Sequence, residues 1–87
     1  MKLNSKQQQL VKELFTKVKE QYPEIEFKHL ETSPDDPEHI WIIVNADMDE
    51  DREIEMNSYS AELRIEILLK YGYAISIMAE NPNTAFA

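Results

Sequence analysis

The chain has 87 residues, 43% of them hydrophobic, with one tryptophan, four tyrosines, three phenylalanines and no cysteine. That length holds a single domain, 1–87, with one core; the apolar content argues against disorder, and the missing thiols exclude disulfides and cysteine metal sites. Net charge is −8 and unevenly placed: residues 1–28 carry six lysines against four acids, residues 29–87 three basic groups against thirteen acids, a field that repels phosphate backbones and makes nucleic acid an unfavourable partner.

The first element is an amphipathic helix over residues 5–22, because Leu10, Leu14, Val18 and Tyr22 recur at i+4 steps with Val11 and Phe15 beside them. Asn4 or Ser5 serves as its cap, with Gln7 or Gln8 in the capping-box place, and Pro23 ends it. "IEFKHLE", residues 25–31, sets Ile25, Phe27 and His29 against Glu26, Lys28 and Glu31, and Leu30 breaks the alternation, so it reads as a half-exposed strand. "TSPDDPEH" is turn chemistry. "IWIIV", residues 40–44, is β-branched and aromatic without alternation, as a central strand requires.

Two periodicities compete in the next segment. "YSAELRIEI" alternates like a strand, yet "AELRIEILLKYG" is rich in helix formers and stops at Gly72. Asp49, Glu50, Asp51 and Glu53 suit a helix start and Lys70 its end, where each charge complements the macrodipole, so residues 49–71 read as helix. That helix has two apolar sides. Ile54, Ala61, Ile65 and Leu68 share one, and Tyr59, Leu63 and Ile67 lie on the other. One side belongs to the core; the other, taken as Met56, Tyr59, Leu63 and Ile67, is expected to meet another protein or a second copy. "YAISIMA", residues 73–79, is the last strand, with Tyr73, Ile75 and Ile77 on one face, and Pro82 opens a short tail over 82–87.

The order α-β-β-α-β predicts an α+β fold in two layers: a three-stranded mixed sheet with two helices packed on one face. The first two strands pair antiparallel, and the crossover helix leaves the second and third parallel. No apolar run approaches the roughly 20 residues that span a bilayer, and the N-terminus has no signal-like stretch. The expectation is a soluble, cytoplasmic protein without a membrane partner.

The acids of "NADMDEDREIEM", residues 45–56, invite a metal reading. Asp47, Asp49 and Asp51 fit positions 1, 3 and 5 of a calcium loop, but Arg52 stands at the required Gly and Ser58 at the required Glu. A looser cluster joins Asp47 and Asp49 to Glu80 at the edge where two parallel strands end, a place that could hold magnesium. Gly72 is the only glycine, so no phosphate cradle accompanies it. The preferred reading is no metal and no cofactor, the acids being the solvated start of a helix. His29 and His39 could approach across the first hairpin, without a zinc spacing. Ser33, Ser58, Ser60 and Ser76 lack a nucleophile context. Tyr59, Tyr71 and Tyr73 near Trp41 form either an aromatic cleft or core packing.

The succession "LVKELFTKVKEQYPEIEFKHLETS", "EHIWIIV" and "DREIEMNSYSAELRIEILLKYGYAISI" resembles the minimal nucleotidyltransferase domains of the DNA polymerase β-like superfamily. Those domains run helix, strand with a Gly-Ser signature, strand with an Asp-x-Asp pair, helix, and a strand bearing a third acid. Here Thr32 precedes Ser33 in place of the Gly, His39 and Trp41 fall where the metal-binding aspartates belong, and "AISIM" offers only Ser76. Carboxylate-held metal ions carry phosphoryl transfer, so the resemblance implies a catalytically silent copy, one that acts beside a partner as antitoxin-like members do. The expected function is a non-catalytic, acidic protein-interaction module. The alternative is a divalent-metal- or nucleotide-binding enzyme using the acids at the sheet edge.

Overall fold

Asn4 opens the first helix with a reciprocal pair: its side chain accepts from the Gln7 N–H at 2.8 Å, and the Gln7 side chain accepts from the Asn4 N–H at 3.0 Å. Two of the donors that any helix start leaves unpaired are thereby satisfied. Helix α1 then runs Ser5–Gln21 in the computed structural model, which describes residues 2–81. It buries Leu10, Leu14 and Val18 in one stripe and leaves Lys12 and Lys17 exposed. After Pro23 the chain forms β1 (Ile25–Thr32), β2 (Ile40–Ala46), α2 (Glu50–Tyr71) and β3 (Ile75–Glu80). The expected tail, 82–87, lies outside the described residues.

The sheet order is β1-β2-β3. β1 and β2 are antiparallel from Ile25 opposite Ala46 to Thr32 opposite Ile40, and β2 and β3 are parallel from Ile40 beside Ile75 to Asn45 beside Glu80. The fold is thus α+β, a three-stranded mixed sheet with two helices. Both helices cover one sheet face, since Ile40, Ile42, Val44 and Ala46 of β2 share a core with Leu14 of α1 and Met56 of α2. The register shifts between Phe27 and His29, which explains why Leu30 breaks the alternation of β1. One extra residue, Lys28, restarts the pleat, so that Phe27 opposite Val44 and Leu30 opposite Ile42 both face the helices. Phe27 meets Phe15 of α1 edge to face, ring centroids 6.0 Å apart.

Helix α2 begins at Asp49, whose side chain accepts from the Arg52 N–H at 2.8 Å, and ends at Gly72, whose φ of 77° is the left-handed conformation that costs glycine nothing. Glu50, Asp51 and Glu53 lie in its first turn and Lys70 in its last. Arg52 ties this start to the α1–β1 turn. Its guanidinium donates to both carboxylate oxygens of Glu24 and, at 3.2 Å, to the Gln21 carbonyl, and it lies 4.7 Å from the Tyr22 ring centroid. Among the described residues no helix is long and apolar enough to cross a membrane.

The two sides of α2 are assigned oppositely to the expectation. Met56 is 0% exposed and is closed to a partner, and Tyr59, Leu63 and Ile67, partly buried, pack against the core, so these four form the inner side of the helix. The outer side carries Ile54, Ala61, Ile65 and Leu68. Spacing alone leaves the choice open, because both stripes have helical period; the structure buries Met56 and Ser60, one turn apart, and Met56 joins the core that holds Ile75 and Ile77.

Two outcomes follow from this packing. Met56→Ala is expected to lower unfolding free energy by about 2–5 kcal/mol, the usual range for truncating a buried large side chain, whereas Ile65→Ala changes it by less than about 1 kcal/mol; urea titration measures both. Glu24 is held below its ordinary value of 4.5, first by the Arg52 hydrogen bond and then by a backbone hydrogen bond. A lowered folded-state value contributes stability in full above the ordinary glutamate range and loses it as pH falls through the lowered value. Stability of Glu24→Gln should therefore be reduced at neutral pH and decline less steeply in acid than wild type, by a modest amount because the pair is partly exposed and screened.

Candidate interaction surface

The outer side of α2 exposes apolar side chains in a row: Ile54 is 55% exposed, Ile65 48%, Leu68 47% and Leu69 82%. Isolated exposed leucines are ordinary on protein surfaces, but four large side chains along one 22-residue helix form a patch. Solvent cannot satisfy that patch; another apolar surface can. Beside it, the C-terminal half of α2 and the middle of α1 enclose a groove of about 570 Å³. Leu14, Leu63 and Ile67 form its floor, and Glu13, Lys17 and Glu66 stand around it.

The acids of the alternative reading, Asp47, Asp49 and Glu80, are engaged separately. Asp49 is occupied as the α2 cap, and Glu80 receives the Lys28 ammonium at 2.6 and 3.0 Å across the sheet. Asp47 is exposed in the β2–α2 connection. Among the described residues no group of three or more His, Asp or Glu side chains is placed to hold a metal ion. The register also separates the histidines, because His29 lies opposite Ile43 while His39 precedes the strand. His29 bonds to Glu31 at 2.7 Å.

His39 takes a different role. It stacks on Trp41 with ring centroids 4.4 Å apart and planes 8° from parallel, and its Nε2 meets Ser76 Oγ at 2.8 Å. Arg64 Nη1 reaches the same hydroxyl at 3.5 Å. Trp41, Ser76 and Arg64 border a cleft of about 370 Å³ between α2 and β3, with Glu53 and Asn57 on its helical side. A serine beside a histidine brings together the two groups of a nucleophile–base pair, which a third group must orient. Ser76 is buried at the second position of β3, on the wall of the cleft. The contact joins the end of the β1–β2 turn to β3.

The tyrosines do not join Trp41 in a cleft. Tyr59 meets Tyr22 at 6.2 Å, the Tyr73 hydroxyl accepts from Asn4 Nδ2 at 3.2 Å, and the Lys6 ammonium sits 4.3 Å from the Tyr71 ring centroid. They belong to the helix side of the molecule, Trp41 to the opposite sheet face. Sequence reading missed that His39 and Arg64 both reach the Ser76 hydroxyl. The only signal of this is the parallel pairing of Trp41 with Ser76, which follows from a strand register that no local pattern specifies.

Comparison of the chain with protein-family models, with curated proteins and with solved structures yields no match. The surface must therefore be read from its own chemistry.

If Asp49 acts only as a cap, Asp49→Ala lowers stability by about 1 kcal/mol, and by the same amount with and without millimolar magnesium. Chemical denaturation in the two buffers checks this. A magnesium-dependent rise in wild-type stability that disappears in the variant would restore the acidic cluster as a metal site.

Proposed function

We propose that this chain is a non-catalytic protein-interaction module that binds through the outer side of α2 and the adjoining α1–α2 groove. The carrying observation is the exposed row Ile54, Ile65, Leu68 and Leu69 on a helix whose other side is already buried. Burying apolar area at about 25 cal/mol per Å² favours association, and a few such side chains near the centre of an interface commonly supply most of its energy. The caps at Asp49 and Gly72 and the Arg52–Glu24 pair support the reading from another direction. They hold the helix in place without help from its outer side, leaving that side rigid and ready to bind.

The resemblance to nucleotidyltransferase domains fits the same reading, because His39, Trp41 and Ser76 stand where that chemistry needs carboxylates. What they do instead is pack. A partner protein is the function this arrangement serves best.

The double variant Ile65→Lys with Leu68→Lys tests the reading. It is expected to fold with stability within about 0.5 kcal/mol of wild type, as exposed substitutions do. Light scattering and parallel affinity capture from native extract are then run on both forms. Loss, in the variant alone, of a stoichiometric partner or of self-association supports the reading. Unfolding of the variant would place the two residues in the core, and an identical set of captured proteins in both forms would move binding elsewhere; either result overturns it.

A further inference from the structure

The outer row of α2 has the spacing of a coiled-coil seam. Ile54, Ser58, Ala61, Ile65 and Leu68 follow one another at steps of four, three, four and three residues. With Ser58 and Ile65 at a, and Ile54, Ala61 and Leu68 at d, the buried Met56 and Leu63 fall at f, diametrically away from the seam. The seam spans 14 residue steps, about 21 Å at 1.5 Å per residue, which matches a partner helix of three to four turns. Small side chains at Ser58 and Ala61 form a shallow saddle between the larger ends.

Charge around this seam is one-sided. The e positions hold Glu55, Glu62 and, at the C-terminal end, Leu69, and Glu50 and Asp51 stand at its N-terminal end. The g positions hold Asn57 and Arg64. A second copy is poorly matched to that pattern. Parallel pairing sets Glu62 against Asn57 and Leu69 against Arg64 of the other copy, and antiparallel pairing sets the acids of one seam beside the acids of the other. Two chains that each carry −8 also repel at long range.

We infer that the occupant of this surface is a basic amphipathic helix of another protein, with an apolar seam flanked by Lys or Arg that meets Glu55 and Glu62. This rests on the reading of α2 as an interaction surface and adds to it the chemical class of the partner. The apolar seam supplies the affinity. The acids choose the partner, because a wrong-sign helix brings like charges together at the seam's edge.

Four synthetic 21-residue peptides test it against the full chain by fluorescence anisotropy. Three share a Leu/Ile seam and carry Lys, Gln or Glu at the flanking positions; the fourth has the Lys composition with its seam scrambled. The Lys peptide should bind about tenfold tighter than the Glu peptide, the sum of several weak ion pairs, with the gap closing as salt is raised. The scrambled peptide should not bind, and Ile65→Lys in the chain should abolish binding of the other three. Equal binding of the Lys, Gln and Glu peptides, lost in Ile65→Lys, overturns the choice of a basic partner and leaves the surface standing. Failure of every peptide beside a concentration-dependent dimer that Ile65→Lys disrupts replaces the basic helix by a second copy. Binding that survives Ile65→Lys, or is shared by the scrambled peptide, overturns both this inference and the surface on which it rests.

Discussion

A sheet of three strands offers one face to a helix, and a helix on that face can bury only one stripe. In this chain α2 has two apolar stripes, and the geometry of the rest depends on which of them the core takes. Met56, Leu63 and Ile67 go inward against β2 and β3, beside the Leu10, Leu14 and Val18 stripe of α1. Ile54, Ile65 and Leu68 are thereby committed to solvent. No rearrangement of side chains rescues them, because the stripes lie on opposite sides of one rigid cylinder. The exposed row is a consequence of the core.

What fixes the choice is concentrated at the ends of α2. Asp49 sets the start of the helix by accepting the Arg52 N–H, and the Arg52 side chain then reaches Glu24 and the Gln21 carbonyl at the end of α1. Backbone cap and side-chain clamp thus come from neighbouring positions and set both the start and the rotation of the helix. Gly72 closes the other end, turning the chain into β3 through a left-handed residue. The acids at the start are accounted for by these tasks: one caps, and Glu50, Asp51 and Glu53 face the positive end of the dipole.

Much of this architecture is written locally. Leu10, Leu14, Val18 and Tyr22 specify α1 and its buried side, and the acids before α2 and the glycine after it specify that helix against the competing strand alternation of "YSAELRIEI". The apolar run of β2 implies cover on both faces, and Ile43 is buried on the side away from the helices. Leu30 shows where local reading stops: its break in alternation is visible in sequence, but the bulge at Lys28 that causes it depends on pairing with β2. The side of α2 that faces inward is equally non-local. Both stripes have helical period, and only the burial of Met56 and Ser60 in the folded chain separates them. For the same reason His39, Trp41, Ser76 and Arg64 come together through strand register and helix rotation, with no spacing in the chain to announce them.

The functional account reduces to whether the outer side of α2 is open in the isolated chain. Methyl relaxation enhancement by a soluble paramagnetic probe, recorded on the full-length protein at low concentration, measures this residue by residue. Strong enhancement of the Ile54, Ile65, Leu68 and Leu69 methyls, with Met56, Ile42 and Ile75 protected, is the result the account predicts. Protection of Ile65 and Leu68, or enhancement at Met56, would contradict it.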